Sequence, residues 1–413
     1  MVVGRLVGRL GPQHLLSLAR HLAGNREFLV TPHERLTQRQ FFARVDALAA
    51  GLQLLGAHKG DRIAALLPPC AEAAYALFLP WVLGTVEVPL DPAMPEEALR
   101  HALADSGAKF VLTTRDWQGR DLAATVARLR PGLPGLRYVL ARSSGRQEAA
   151  AYSIESVMAS GTSLWRARAS PKEEGRIAYL PGSAGAPMGI AHTRGAYWRL
   201  ACPEVQAQLD PAALSCLVVA FPLHTYAGWL GMMAALVGGG KAILTGQSDA
   251  HRVLEQAERE GATLLAGTPG LHEALLEAAG KRRLPTLRWA VVAGPCPPVL
   301  ARAIGRRFGC RVASLYAREE CGLIAFGPNP AERAASVGRA VPGVEVRIVD
   351  AHRMPLPPGR QGEVAVRSPQ MMLGYYGNPE ATAAVLDREG WFYTGDAGWI
   401  GDDGDLRLCR PAV

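Results

Sequence analysis

The sequence lacks the features of an exported, disulfide-bonded or zinc-binding protein. Its seven cysteines are scattered over 413 residues, their number is odd, and no two form a CxxC pair. Neither a disulfide framework nor a zinc site is therefore indicated. Arg5 and Arg9 interrupt the first residues, where a secretory signal would need an unbroken apolar stretch. We expect a cytoplasmic protein.

The sequence also lacks an uninterrupted apolar run and a clustered basic segment. Residues 211–240 contain no Asp, Glu, Lys or Arg, but Pro222, His224 and three glycines at 238–240 divide this stretch. Such punctuation favours two buried elements joined by a loop over a membrane-spanning helix. The net charge of +8 comes from arginines spread along the chain. We therefore expect neither a membrane span nor nucleic-acid binding.

What the sequence does contain is a repeated alternation of helical and strand-like apolar patterns. The predicted helices are 41–55, 71–83, 96–105 and 250–260, and the predicted strands are 62–67, 109–113, 215–220, 263–267 and 288–293. The 45 glycines and 30 prolines are too few for a low-complexity chain. We predict an α/β protein with two large, mostly parallel sheets flanked by helices.

Changes of composition along the chain predict three units. We assign residues 1–175 to a first α/β subdomain, 176–336 to a second α/β subdomain and 337–410 to a small β-rich subdomain. Residues 141–175 lose apolar periodicity and gain serine, glycine and charge, which is typical of a surface connection. After residue 337, short apolar runs alternate with turns rich in proline and glycine, which is typical of β structure.

A glycine-rich loop follows a predicted strand within residues 177–189. Its glycines allow backbone N–H groups to converge on an anion, and the Ser183 hydroxyl adds a donor, so the loop suits a phosphate. Taken alone, an ordinary turn between a strand and a helix explains it equally well. The loop matches neither GxxxxGK[ST] nor GxGxxG, and the absence of the second pattern disfavours an NAD-binding oxidoreductase.

Three further segments give this loop a context. They are SLYAREE at 314–320, GEVAVR at 362–367 followed by Gly374-Tyr375, and GWFYTGD at 390–396. In this order, the set resembles the ANL superfamily of adenylate-forming enzymes, which comprises acyl-CoA synthetases, adenylation domains of peptide synthetases, and luciferases. The resemblance runs from about Leu36 to Arg410. It implies the N-terminal domain of such an enzyme, with the second α/β subdomain carrying the nucleotide loop.

The resemblance implies an activity and its cofactors. A carboxylic acid attacks the α-phosphate of ATP, in the presence of Mg²⁺, to give an acyl-adenylate. The acyl group is then usually transferred to a thiol, which belongs to CoA or to a carrier protein.

The resemblance also implies roles for individual residues. Gly182, Ser183 and Gly185 would hold the β- and γ-phosphates, Tyr316 would stack on adenine, and Asp396 would accept the ribose hydroxyls. The remaining nucleotide-binding positions are Gly294, Pro295, Cys296, Ala317 and Arg410. The metal ligands would be Glu320 and Glu319, the acyl pocket would contain His224, Trp229 and Ala317, and the catalytic residues would be Glu320 and His224.

Several of these residues have structural explanations as well. Tyr316 fits a core aromatic residue, and Asp396 fits a turn-capping residue after a glycine. A small buried apolar residue is the favoured interpretation of Cys296. His224 fits a hydrogen-bonded loop histidine equally well, and apolar residues at helical spacing such as Trp229 are more often plain core.

The two motifs nearest the expected phosphates depart from the family pattern. Met188 stands where the family carries a lysine, and Pro181 and Ala184 replace residues with hydroxyl groups. In the second motif, Ala317 and Glu319 replace glycine and threonine. Two adjacent carboxylates beside a polyphosphate are unfavourable unless a metal bridges them. The pair either shares a divalent ion or weakens ATP binding.

Two hypotheses from different classes remain. The first is the N-terminal catalytic region of an ATP-dependent acid–thiol ligase. The second is a relative that binds a nucleotide, an acyl-adenylate or a protein partner and has lost turnover. Family members continue into a small C-terminal domain after the position of Val413, and trimming or natural loss explains this end equally well. Residues 224–229 offer no carboxylate to pair an α-amino group, which favours an acyl or aryl acid.

We predict that combining Met188→Lys with Glu319→Thr tightens ATP binding at least about tenfold and AMP binding far less. The change adds a cation and removes a competing charge, and a charged hydrogen bond contributes about 1.5–3 kcal/mol. Calorimetry with both nucleotides measures the effect. An unchanged preference between ATP and AMP would show that the loop does not face phosphates.

Overall fold

The computed structural model describes residues 24–142, 152–180, 186–196, 209, 211–246, 249–328 and 330–409. Its helices are α1 (Gln38–Leu54), α2 (Ala71–Ala76), α3 (Leu79–Leu83), α4 (Glu96–Ser106), α5 (Leu122–Leu129), α6 (Ile154–Ser160), α7 (Tyr226–Gly238), α8 (Ala250–Glu260), α9 (Pro269–Ala278), α10 (Pro298–Phe308) and α11 (Pro379–Val385). Short 3₁₀ helices span Arg130–Gly132 and Pro211–Ser215.

The strands fall into two sheets. They are β1 (Glu27–Val30), β2 (Arg35–Thr37), β3 (Arg62–Ala65), β4 (Val86–Pro89), β5 (Phe110–Thr114), β6 (Tyr138–Arg142), β7 (Tyr152–Ser153), β8 (Glu174–Leu180), β9 (Met188–Thr193), β10 (Cys216–Val219), β11 (Lys241–Leu244), β12 (Leu264–Gly267), β13 (Trp289–Ala293), β14 (Arg311–Arg318), β15 (Gly322–Pro328), β16 (Ser336–Ala340), β17 (Glu345–Val349), β18 (Gly362–Arg367), β19 (Gly374–Tyr375), β20 (Phe392–Ile400) and β21 (Leu406–Leu408).

The smaller sheet is mostly parallel. Its eight strands run in the order β19-β9-β8-β4-β3-β5-β6-β7. The pairs from β8 to β7 are parallel, whereas β9 joins β8 and β19 joins β9 in antiparallel fashion. The two antiparallel strands lie together at one edge of the sheet.

The larger sheet changes from parallel to antiparallel at β14. Its thirteen strands run in the order β17-β18-β20-β21-β16-β15-β14-β13-β12-β10-β11-β1-β2. The pairs from β14 to β1 are parallel, and those from β15 to β17 are antiparallel. The predicted β-rich segment therefore extends this sheet. Both sheets take strands from each side of the predicted subdomain boundaries, which stay predictions.

Local sequence signals explain where the helices begin and end. Thr37 caps the beginning of α1: its hydroxyl accepts from Gln40 N, while the Gln40 side chain accepts from Thr37 N. The single helix predicted over 71–83 is instead divided into α2 and α3. Pro80 explains the division, because it has no N–H to donate to the carbonyl of Ala76.

The uncharged stretch at 211–240 forms β10 and α7, joined by a loop, as the sequence predicted. Both elements lie in the protein core, and α7 buries Trp229, Met232 and Met233. No helix among the described residues is both long enough and apolar enough to span a bilayer.

A buried ion pair connects the smaller sheet to the loop before α7. Arg176 of β8 and Glu87 of β4 are neighbours across the two strands, and Arg176 Nη1 donates to Glu87 Oε2 at 2.7 Å. Their side chains are 5% and 6% exposed. Arg176 Nη2 also donates to the backbone oxygen of His224 at 2.8 Å. One arginine therefore fixes a loop that leads towards the larger sheet.

We predict that Arg176→Met lowers the free energy of unfolding by about 3–5 kcal/mol, because it leaves the Glu87 carboxylate buried without its cation. Urea denaturation measures the loss. The exposed pair of Arg282 and Glu258 provides the control, since Arg282→Met should cost less than about 1 kcal/mol. Adding Glu87→Met to Arg176→Met should recover most of the stability. Equal losses for the two arginines would contradict this account.

Candidate active site

A cavity of about 710 Å³ opens where β13 and β14 end. These strands are parallel neighbours, and ligands of parallel sheets usually bind at the carboxyl ends of the strands. The described lining consists of residues 180, 225–227, 293–295, 315–320, 395–397, 408 and 409. The cavity thus brings together motifs that are widely separated in the sequence.

Tyr316 and Asp396 are joined by a hydrogen bond at the cavity wall. The Tyr316 hydroxyl donates to Asp396 Oδ2 at 2.5 Å. Burial, followed by the charge of Asp396, raises the pKa of Tyr316, so the hydroxyl keeps its proton and remains a donor. Gly395 has a φ of +74°, a conformation that favours glycine immediately before the carboxylate. The second oxygen of Asp396 retains capacity to accept from a ligand.

The guanidinium of Arg318 lies between Asp396 and Glu320. Its Nη1 is 3.2 Å from Asp396 Oδ2, and its Nε and Nη2 are each 3.4 Å from an oxygen of Glu320. Burial opposes the charge on Arg318, but attraction to Glu320 and Asp396 outweighs it and raises the pKa of the guanidinium. The motif comparison had assigned no role to Arg318, although an arginine between two candidate ligand positions is a signal for one.

The Glu319 side chain caps the beginning of α7. Its Oε1 accepts the backbone N–H of Tyr226, the first residue of that helix. The first N–H groups of a helix have no partner within the helix, and its positive end favours a carboxylate. The backbone oxygen of Glu319 accepts from His192 Nε2 at 2.7 Å. The carboxylate predicted to share a divalent ion with Glu320 therefore also has a structural use, and its role as a metal ligand stays a prediction.

Glu320 fits a metal ligand that acts together with a bound nucleotide. The described residues contain no group of three or more His, Cys, Asp or Glu side chains able to hold a metal ion. Mg²⁺ at nucleotide sites typically takes one or two carboxylates and completes its shell with phosphates and water. The Glu320 side chain lines the cavity and is 5% exposed, and its contacts with Arg318 are 3.4 Å long. A single carboxylate of this kind suits Mg²⁺ that arrives with ATP.

The predicted adenine loop is divided between the cavity and the core. Gly294 and Pro295 line the cavity, and Gly294 N donates to Leu315 O at 2.6 Å. Cys296 is fully buried in an apolar cluster behind them. Burial raises the pKa of its thiol to about 12, so it stays neutral. This placement agrees with a small buried apolar residue and is no support for nucleotide contact.

The predicted acyl-pocket residues occupy different environments. Ala317 lines the cavity. His224 is not among the described lining residues, and its Nε2 is 4.0 Å from Asp91 Oδ2. Burial lowers the pKa of His224, although Asp91 opposes the shift. Trp229 stacks against Tyr226 with 6.0 Å between ring centroids and lines neither described pocket, so it lies on the core side of α7.

A narrow apolar pocket of about 50 Å³ adjoins the main cavity. It shares Ala227, Ala293 and Leu315 with that cavity. From α7 it takes Ala227, Leu230, Gly231 and Ala234, which lie on one helical face. The sequence analysis missed this stripe, because α7 is apolar on every face and i, i+3, i+4, i+7 spacing does not single out one of them.

Gly182, Ser183, Gly185 and Arg410 lie outside the described residues, so their roles stay predictions. The same holds for Pro181 and Ala184. Met188 is described and is the cross-strand partner of Leu180, which lines the cavity. A cation at position 188 would therefore stand beside the cavity wall.

The AMP-binding enzyme family matches residues 18–376. The chain belongs to this family. Feruloyl-CoA synthase from Amycolatopsis sp is 33% identical over 378 residues, which cover 89% of this chain and 72% of that protein. Medium-chain fatty-acid–CoA ligase from Escherichia coli (strain K12) is 28% identical over 373 residues, covering 87% of this chain and 65% of that protein.

Solved structures confirm the fold of this AMP-binding enzyme. The anthranilate CoA ligase AuaEII in complex with anthranoyl-AMP superposes with a TM-score of 0.87 at 22% identity, over 97% of this chain and 77% of that one. The resemblance stated from the motifs is confirmed by the family match, and the predicted α/β class is confirmed by the fold. The predicted enzyme class, an adenylate-forming acid–thiol ligase, is confirmed as well.

We predict that Glu319→Thr destabilises this AMP-binding enzyme by about 1 kcal/mol, because Tyr226 N loses its acceptor. Glu319→Gln should cost less, since its amide oxygen still accepts. Thermal unfolding measures both, with exposed Glu332→Thr as the control. Neither substitution should alter how ATP binding depends on Mg²⁺. If Glu319→Gln abolishes that dependence, Glu319 is a metal ligand after all.

The double variant of Met188→Lys and Glu319→Thr changes both the glycine loop and α7, because Glu319→Thr removes the acceptor of Tyr226 N. Met188→Lys alone is therefore the cleaner test of the glycine loop.

Proposed function

We propose that this enzyme uses ATP to activate an acyl or aryl acid without an α-amino group and passes the acyl group to CoA. The observation that carries the proposal is the junction of two environments in one cavity. A polar wall with Tyr316, Asp396 and Glu320 meets an apolar pocket lined by one face of α7. Such a site suits a nucleotide on one side and an apolar acid on the other.

The polar wall supports nucleotide binding. Asp396 has two oxygens suited to a pair of ribose hydroxyls, and Tyr316 holds it in place through a 2.5 Å bond. Gly294 and Pro295 line the cavity together with Tyr316, and the adenine base would lie against them. Glu320 would hold Mg²⁺, which supplies charge neutralisation at the phosphates when it is bound.

The apolar pocket supports an acid without an α-amine. Its described lining has no acidic side chain to pair an ammonium group. The stripe from Ala227 to Ala234 consists of small or aliphatic residues, so shape and apolar contact select the acid. Feruloyl-CoA synthase and medium-chain fatty-acid–CoA ligase are relatives whose names specify such acids.

The chemistry proceeds through two displacements. A carboxylate oxygen of the acid bonds to the α-phosphorus of ATP, and pyrophosphate leaves with the electrons of the broken P–O bond. The thiolate of CoA then bonds to the acyl carbon, and AMP leaves. In the first step two anions approach each other, so residues in the cavity must offset their repulsion. A carrier-protein thiol would satisfy the same second step.

A binding protein without turnover is the second candidate. It is favoured by Met188, which offers no cation beside Leu180, and by Arg318, which already pairs with both acidic groups of the polar wall. Such a protein would still hold AMP or an acyl-adenylate.

We predict that Ala234→Leu fills the apolar pocket and changes which acids are activated. Relative to acetate, kcat/KM for ferulate, anthranilate and octanoate should fall at least about tenfold, since one methylene in a pocket contributes about 1–3 kcal/mol to discrimination. Pyrophosphate release in the presence of hydroxylamine measures adenylate formation without requiring CoA.

Asp396→Ala serves as the comparison for that experiment. It should lower activity with every acid to a similar extent, because it removes a nucleotide contact. If Ala234→Leu also lowers kcat/KM for all acids equally, the α7 stripe does not select the acid. If the unmodified chain binds AMP but releases no pyrophosphate with any acid, the binding-protein candidate becomes the conclusion.

A further inference from the structure

The charges around the main cavity are unbalanced. Among its described lining residues, the acidic side chains are Glu319, Glu320 and Asp396, and Arg318 supplies the one cationic side chain. Nucleotide phosphates and the carboxylate of the acid are all anions. They therefore enter a region that repels them unless a cation lies within reach. Among these residues, Arg318 alone can provide one.

The geometry of Arg318 leaves it able to bind an anion. Its backbone is held at the end of β14, paired with Gly322 of β15, so only the side chain needs to move. The side chain is 32% exposed. Its contacts with Glu320 are 3.4 Å long, whereas charge-assisted bonds usually measure about 2.7–2.9 Å. A phosphate oxygen can therefore replace Glu320 as an acceptor without the loss of a short bond.

The position of Arg318 also indicates which phosphate it reaches. Nη1 lies 3.2 Å from Asp396, the carboxylate that accepts the ribose hydroxyls in the function proposed above. The phosphate covalently nearest to the ribose is the α-phosphate on its 5′ oxygen. The guanidinium has five N–H donors, so it can keep its contact with Asp396 while it donates to a phosphate.

We propose that Arg318 is a nucleotide-binding residue that donates to the α-phosphate, exchanging Glu320 for the phosphate as its acceptor. The inference rests on the proposed function and gives a role to a residue for which the family resemblance implied none. The exchange involves no covalent change. It also frees the Glu320 carboxylate for the cation that accompanies ATP. AMP, ATP and an acyl-adenylate all carry the α-phosphate, so Arg318 would contact each of them at the same group.

The test compares AMP with adenosine, which differ by the phosphate alone. Calorimetry without divalent cations gives the dissociation constants of both ligands for the unmodified chain, Arg318→Met and Arg318→Lys. We expect Arg318→Met to reduce the preference for AMP over adenosine at least about tenfold. Arg318→Lys should retain part of that preference, because it keeps the charge but loses the planar pair of donors. Thermal unfolding checks that each variant is folded.

Arg35 offers a matched control. It also bridges two carboxylates, Glu27 and Glu260, but it lies on β2 at the edge of the larger sheet. Arg35→Met should leave the ratio of the two dissociation constants unchanged.

Each other outcome overturns a defined statement. If Arg318→Met raises the dissociation constants of AMP and adenosine by the same factor, Arg318 only positions Asp396, and the inference is wrong. If neither dissociation constant changes, Arg318 contacts no part of the nucleotide. If the unmodified chain binds neither ligand, the proposed function fails and the inference fails with it. Should Arg318→Met not fold, Arg318→Lys decides by the same ratio.

Discussion

The end of β14 supplies consecutive residues to the candidate site, because residues 315–320 all line the cavity. The pairing of β14 with β15 shifts register after Tyr316, where Ile324 of β15 is the extra, unpaired residue. Successive side chains of a strand point to opposite faces, so these residues meet at one cavity because it opens at the end of the strand. On its other side β14 pairs in parallel with β13, up to Ala293 and Leu315. The strand thus joins the parallel and antiparallel halves of the larger sheet beside the cavity.

Residues from distant parts of the chain make hydrogen bonds and ion pairs around this strand. Asp396 reaches Tyr316 and Arg318 from β20, and Glu319 reaches the first turn of α7. The Glu319 carboxylate accepts from Tyr226 N and so links the end of β14 to the helix that lines the apolar pocket.

Much of the fold followed from periodicity, and the motifs predicted residues, among them Tyr316, Glu320 and Asp396, that the structure brings together around one cavity. Helix α8 has the predicted bounds, because its polar and apolar faces are well separated. The prediction of one helix over 71–83 was wrong, because Pro80 interrupts the helical hydrogen bonds even in a buried segment. The capping role of Glu319 could not be predicted, since its partner Tyr226 lies 93 residues away. Arg318 was missed because comparison with a family motif draws attention to shared positions and away from variable ones.

The sheet order also constrains how the chain acquires its structure during synthesis. The edge strand β19 must pair with β9, so the smaller sheet is completed only after residue 375 has been made. The N-terminal strand β1 pairs with β11, more than 200 residues later in the chain. Contacts at such separation slow folding and prolong the exposure of unpaired strand edges. The nascent chain therefore emerges from the ribosome with both sheets incomplete, in the state in which chaperones would be expected to act on it.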